Sequence, residues 1–300
     1  MPDTDSRPEL TGLLLDVDGP IASPVSRTVR QEIIGDLVTL AAAGWPVIFN
    51  TGRSDTFIRD EVMTPMQAAG IPEGVVFHAI CEKGGVWFSF DRSGAGELHI
   101  DQSLALPKEF GAGIRDLVAE KYSEHMFFDE TKHAMVSVEQ HVDVDNTDYL
   151  AEQEGFDADA LALMRSHDMG VCRLAHHSPD SDDNIDYRID PTIISTDIES
   201  VRLGKDLGAE RALSLLDARI PSRWRTVGDS RTDYAMADYL HEHGYDVAHV
   251  DVRPADGVPE TPYPVHTEDD LTNDDAGAAF LARCVLSLTP GSHIGQITGE

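Results

Sequence analysis

The sequence predicts an α/β fold, a parallel-sheet core interrupted by an inserted α+β domain. Three observations carry that expectation. The first 80 residues alternate strand and helix, the middle of the chain changes to short extended runs and turns, and from about Lys205 the first rhythm returns. With 300 residues, 41% of them hydrophobic, the chain can fill one large core or two modest ones.

Residues 11–17 (TGLLLDV) form an apolar run ending in acid, the pattern of a strand buried on both faces. Ser26 can cap a helix reaching to about Ala43, with Val29, Ile33, Leu37 and Leu40 at helical spacing and Gly44 as its stop. Residues 46–50 (PVIFN) are the next strand, 54–68 a helix and 75–80 a third strand.

In the middle, 86–90 and 98–100 read as a hairpin around a turn at 92–96. A helix over 108–122 and a strand over 134–139 follow. Residues 157–167 read as helix, 171–175, 185–189 and 193–196 as extended, and 176–184 (HHSPDSDDN) as an exposed loop. The returning rhythm gives a helix over 205–217, a strand at 225–228, a helix over 232–240 and a strand at 245–250. A proline-rich connection (254–264), a helix over 276–288 and a loose tail complete the chain. The expected division is a discontinuous core, 1–81 with 192–300, and an insert over 82–191.

Charge narrows the partners. Asp and Glu number 54 against 23 Lys and Arg, a formal net charge of −31. Such a field repels nucleic acid and anionic membranes, and it repels a phosphate substrate too, so a phosphate site here needs local positive charge. No apolar run is long enough for a membrane span, and the polar start, residues 1–9, does not read as a secretion signal. Cys81, Cys172 and Cys284 lack metal or disulfide spacing and read as thiols of a reducing cytoplasm, the expected location.

Four elements carry candidate chemistry. Asp16-Val17-Asp18-Gly19 stands where the first strand ends, the side of an open α/β sheet on which ligands bind. The same D-x-D spacing recurs at Asp143/Asp145 and Asp157/Asp159, so position and partners must single out the first copy. Thr51-Gly52-Arg53 offers a hydroxyl, an approachable amide and a guanidinium fork to phosphate oxygens, although such a triplet is also a common turn. Lys205, near a helix start, is one of five lysines. Asp229 and Asp233, in Gly228-Asp229-Ser230-Arg231-Thr232-Asp233, can ligate a hard cation or orient its ligands; the same residues also suit a capped helix start.

Together, in this order, the four resemble the motif set of the haloacid dehalogenase-like (HAD) phosphohydrolases: D-x-D, Thr or Ser, Lys, and G-D-x-x-x-D. The resemblance covers residues 11–83 and 200–251 and implies a Rossmann-like core. The T-G-R triplet, together with Cys81-Glu82-Lys83-Gly84-Gly85, which is similar to an E-N-G-A turn, matches the sugar-phosphatase-like branch with a large cap between the second and third motifs. The resemblance implies Asp16 as nucleophile through an aspartyl-phosphate and Asp18 as general acid and base. It implies Mg²⁺ held by Asp16, the Asp18 carbonyl and Asp229 with Asp233 supporting, and phosphoryl contacts from Thr51, Gly52, Arg53 and Lys205. Two residues depart from the pattern: Pro20, where Thr or Val is usual, and Asn50, where small residues are frequent.

The expected activity is Mg²⁺-dependent hydrolysis of a small phosphorylated metabolite, with sugar phosphate a preference inherited from the resemblance. Two aspartates favour a phosphatase over a dehalogenase, whose departing halide needs no acid. A phosphomutase and a non-catalytic binding or regulatory protein are the alternatives. Within the insert, His133, Glu139, His141, Arg173 and His176 are candidate contacts for a polyol.

Overall fold

The structure, a computed structural model, describes residues 10–216, 219–268 and 270–288. The acidic start, Asp217 and the loose tail of the sequence reading lie outside the described residues. The chain divides into two compact units at Leu98/His99 and Leu203/Gly204.

In the first unit β1 (Thr11–Leu15) is buried along its whole length. α1 (Gln31–Ala42) turns Ile33, Ile34, Leu37 and Leu40 inward. It starts four residues later than expected because the segment holding Ser26 is drawn into an isolated bridge between Ala22 and Val29, and the Ser26 hydroxyl pairs with Thr28 instead of capping. β2 (Val47–Asn50) leads to α2 (Asp55–Phe57), capped by Ser54, then a π-type stretch, Ile58–Met63, and α3 (Thr64–Ala69). β3 (Phe77–Cys81), β4 (Val86–Asp91) and β5 (Gly94–Ala95) follow, β4 folding back antiparallel on β3 and pairing with β5.

The second unit begins with β6 (His99–Ile100), followed by α4 (Lys108–Leu117), β7 (Met126–Phe128) and β8 (Val136–Gln140). Next come α5 (Asn146–Ser166), β9 (Val171–Arg173), β10 (His176–Ser178), β11 (Tyr187–Pro191) and β12 (Ser195–Ser200). Its sheet runs β10-β9-β11-β12-β8-β7, antiparallel except between β9 and β11. Val136, Val138, Ile189 and Ile198 bury against Phe110 and Ile114 of α4 and Tyr149 and Phe156 of α5. α5 begins eleven residues before the expected start at Asp157, where the Asp145 carboxylate caps Thr147 at 2.8 Å. The expected loop over 176–184 instead opens with β10, an edge strand on β9.

The chain returns through α6 (Lys205–Leu216), β13 (Arg223–Gly228), a 3₁₀ turn Arg231–Asp233, α7 (Tyr234–Glu242), β14 (Asp246–Asp251), β15 (Val265–His266) and α8 (Asn273–Ser287). The first unit's sheet runs β15-β14-β13-β1-β2-β3-β4-β5, parallel from β15 to β3. Leu14, Ile48 and Ile80 pack with Trp224 beneath α6 and α7. α1 packs with α3 and α8. No described helix is long and apolar enough to cross a membrane.

Both expected boundaries of the insert shift. Residues 82–98 stay with the first unit because β4 pairs with β3 (Phe77↔Phe90 to Cys81↔Val86). Residues 192–203 belong to the second because β12 pairs with β11 and β8. Alternation within a strand reports that it is a strand, not which sheet it joins.

Candidate active site

The order of strands reverses at β1: β2 and β3 lie to one side, β13 and β14 to the other. This is the topological switch point, where the loops leaving adjacent strands part and leave a crevice. Asp16 leaves β1 there, its amide bonded to Val227 O at 2.9 Å. Thr51 leaves β2, tied to Ile80 O at 2.9 Å, and Asp229 leaves β13.

Lys205, at the start of α6, joins them. Its ammonium lies 2.7 Å from Asp16 Oδ1, 2.7 Å from Asp233 Oδ1 and 2.8 Å from the main-chain oxygen of Asn50. The ammonium pairs with two carboxylates and donates to a carbonyl, so a phosphate oxygen would have to displace one of these partners. Asp233 is fully buried, and its Oδ2 accepts from the amides of Asp229 (3.1 Å) and Ser230 (3.0 Å) and the Ser230 hydroxyl (2.8 Å). Asp233 thus shapes the Asp229 loop and neutralises Lys205.

The carboxyls differ in their proton affinity. Burial works against ionised Asp233, but the Lys205 charge and the hydrogen bonds from Lys205 and Ser230 outweigh it and hold the group below its ordinary value. Asp16 is pushed well above its ordinary value by burial and by the Asp233 and Asp18 charges, which Lys205 only partly offsets. Asp229 is raised to about 6 by burial and Asp233, against Arg253 and Lys205. Lys205 is raised despite burial by its two carboxylate partners.

Asp16, Asp229 and Asp233 present carboxylate oxygens within 4.8 Å of one another. All-oxygen ligands at that spacing, two of them held above their ordinary pKa by burial and neighbouring carboxylates, fit a hard divalent cation. Gly19 lets this cluster close: at φ +94°, a Cβ on it would stand 2.8 Å from the Asp229 carboxyl carbon. Gly19→Ala is expected to cost about 1–3 kcal/mol through the left-handed backbone alone, read in urea unfolding, and to move Asp229 as well.

Pro20 leaves the turn intact. The hydrogen bonds that form it come from the amides of Gly19 (to Ala22 O, 3.0 Å), Ile21 and Ala22 (to Val17 O, 3.2 and 2.7 Å), so the amide that proline lacks is not required.

The Arg53 guanidinium forks onto Asp18, with Nε to Oδ2 and Nη2 to Oδ1 both at 2.9 Å. Thr51 is fully buried, its hydroxyl accepting from the Arg53 amide at 3.1 Å. The turn at Glu82-Lys83-Gly84 bonds to this segment twice, Glu82 N to Arg53 O and Lys83 N to Thr51 O, both at 3.0 Å. Lys83 O accepts from Gly204 N at 2.8 Å. The second motif is thereby laced to the start of α6.

Two residues at the site were not singled out as functional by sequence reasoning. Arg253, two residues past β14, reaches Asp229 Oδ2 at 3.2 Å; its place after a parallel strand was the available signal. Asn50 is completely buried beside Lys205, and its signal was the departure from a small residue. In the second unit, Arg173 is committed to Asp157 at 2.7 Å, His176 to Arg165 at 2.8 Å and His141 to Ser123 O at 3.1 Å.

His249 lies behind the site, fully buried, with Nδ1 2.8 Å from Thr226 Oγ1, its ring 4.2 Å from that of Tyr234 and no hydrogen-bond partner on Nε2. Burial lowers its pKa to about 4, against the attraction of Asp233, Asp251 and Asp238. Between about pH 6.5 and 4 the unfolded chain takes up a proton that the folded imidazole refuses, so acidification removes up to about 3 kcal/mol of stability. His78, likewise lowered to about 4 by burial, has the same sign, whereas Asp229, raised to about 6, has the opposite one. His249→Asn isolates the first contribution: its urea midpoint is expected to fall less than the wild type's between about pH 7 and about pH 5.

No family model and no curated protein matches the sequence. Solved structures do match the fold. A haloacid dehalogenase-like hydrolase from Bacteroides thetaiotaomicron superposes with a TM-score of 0.56 at 12% identity, over 92% of this chain and 100% of that one. The trehalose-6-phosphate phosphatase of Aspergillus fumigatus gives 0.52 at 15% identity over 93% and 94%. The IMP-nucleotidase of Plasmodium falciparum gives 0.51 at 9% identity over 94% and 68%. The chain has the fold of the haloacid dehalogenase-like hydrolases.

Proposed function

We propose that the protein is a phosphoric monoester hydrolase that forms an aspartyl-phosphate on Asp16, acting on a small phosphorylated metabolite. The observation that carries the reading is the Lys205 ammonium seated between Asp16 and Asp233 at the switch point, with Asp18 and Asp229 beside it. A site without chemistry would have little reason to concentrate four carboxylates in one crevice of a chain already this acidic. The fold's occurrence in proteins named as a phosphatase and a nucleotidase supports the same class.

Lys205 holds Oδ1 of Asp16, so Oδ2 is the oxygen assigned to attack. It bonds to phosphorus as the ester P–O bond breaks, and Asp18, protonated from solvent once the Arg53 fork has moved to the phosphate, gives that proton to the departing alkoxide. Asp18, now a carboxylate, takes a proton from water as the water oxygen bonds to phosphorus. The bond to Asp16 breaks, and inorganic phosphate leaves. Arg53 grips both Asp18 oxygens before substrate arrives. Transfer of its fork to the phosphate dianion releases Asp18 for proton transfer.

Mg²⁺ suits the site; Asp16, Asp229 and the Asp18 carbonyl would hold it, with Asp233 supporting through the Asp229 loop. When bound it supplies positive charge beside the phosphoryl oxygens. Thr51 and the Gly52 amide line the phosphoryl position, while Lys205 acts there by charge and by exchanging its third donor. Sugar phosphate is the favoured substrate class within this reading, in a cytoplasmic protein of unassigned oligomeric state.

The test is release of inorganic phosphate from a panel of phosphorylated metabolites, with and without Mg²⁺, by wild type and Asp16→Asn. Magnesium-dependent release that the substitution abolishes is expected. Isomerised ester without free phosphate would replace hydrolysis by phosphoryl transfer within the substrate, and release that survives Asp16→Asn would remove Asp16 from the mechanism.

A further inference from the structure

We infer that the Asn50 side chain is a positioning residue for Lys205, tying the second and third motifs together; the inference rests on the hydrolase reading above. Asn50 ends β2, immediately before Thr51, and is fully buried. Its Nδ2 donates to the main-chain oxygen of Lys205 at 2.9 Å, and Lys205 Nζ donates back to the main-chain oxygen of Asn50 at 2.8 Å. Both ends of the lysine, its backbone and its ammonium, are thus referenced to one residue of the central sheet. A lysine stem is flexible, and fixing its base and its tip from a rigid strand end keeps the charge aimed at Asp16 without reorganisation.

The seat for the amide is specific. Asn50 Oδ1 is buried with no hydrogen-bond partner, and it lies against α6 where Gly208 has no side chain. A Cβ on Gly208 would come within 2.0 Å of it. A buried amide oxygen without a partner costs stability, and a small apolar residue would avoid that cost. What an asparagine adds here is the bond from Nδ2 to Lys205.

The arrangement also selects the donor that Lys205 can release. Two of its partners are carboxylates in ion pairs and the third is a neutral carbonyl, the weakest of the three. A phosphate oxygen therefore displaces the Asn50 carbonyl first. During that exchange the side-chain amide keeps the lysine backbone in register, so the ammonium pivots to the phosphoryl group and remains on Asp16.

The experiment measures kcat and KM for Mg²⁺-dependent hydrolysis of p-nitrophenyl phosphate and of the best panel substrate, with unfolding melts on every variant. Asn50→Ala removes the amide. Gly208→Ala displaces it by contact with its Oδ1 while Asn50 and Lys205 themselves stay unsubstituted. Both are expected to lower kcat about 10- to 100-fold while KM stays within about 3-fold. Asn50→Ala added to Lys205→Met should cause no further loss, because its target is already gone. An unchanged kcat in folded Asn50→Ala and Gly208→Ala overturns the inference and leaves the hydrolase reading standing. Equal losses with and without Lys205 also overturn it, by marking general structural damage. A wild type inactive toward every ester overturns the hydrolase reading and this inference with it.

Discussion

Asp16→Asn is expected to lower phosphate release by about 10⁴-fold or more, since an amide oxygen is a poor nucleophile and the other carboxylate beside Lys205, Asp233, is fully buried. The same substitution should leave the metal-free protein at least as stable as the wild type. Asp16 is held well above its ordinary pKa by burial and by its acidic neighbours, so its ionised form is disfavoured by folding and a neutral isostere relieves that. Mg²⁺ should then separate the two proteins. A cation that binds the folded wild type raises its stability, by about 2.7 kcal/mol at a hundredfold excess over Kd, and the variant, lacking one ligand, gains less. Thermal melts with and without Mg²⁺, paired with the release assay, read both effects. A variant that keeps the full Mg²⁺-dependent shift would place the cation elsewhere.

Lys205→Met is expected to be the most damaging substitution for stability. It leaves Asp16 and Asp233, a pair nearly closed to solvent, without the ammonium they share. Removing one partner from a buried ionic cluster strands the others, at about 3–5 kcal/mol. Hydrolysis should fall about 10²- to 10³-fold as well, because the lost charge faces the developing negative charge on phosphorus. Mg²⁺ should restore part of the stability, since it offsets the same carboxylates, but not the rate. Urea unfolding in metal-free buffer is the deciding measurement. A midpoint equal to the wild type's would mean that Lys205 does not neutralise the cluster.

Much of this was legible in the residues. The apolar run Leu13-Leu14-Leu15 marks a strand buried on both faces, and Ile33, Leu37 and Leu40 mark the inward face of α1, because burial imposes a period that side chains must follow. The order of D-x-D, T-G-R, Lys205 and G-D-x-x-x-D was enough to expect one site at the ends of neighbouring strands. It was legible because each motif directly follows a strand or opens a helix, and parallel strands bring such ends together.

The tertiary structure decided the rest. That β4 continues the first sheet and β12 the second depends on which edge lies free when the chain closes. That Arg53 forks onto Asp18, that Arg253 reaches Asp229, and that Asn50 and Lys205 hold each other across 155 residues are likewise results of closure. The physical reason is one of range. Periodicity and turn chemistry act over a few residues and are written into the local sequence, whereas partners across the site are chosen by the three-dimensional packing of elements, which local sequence does not encode.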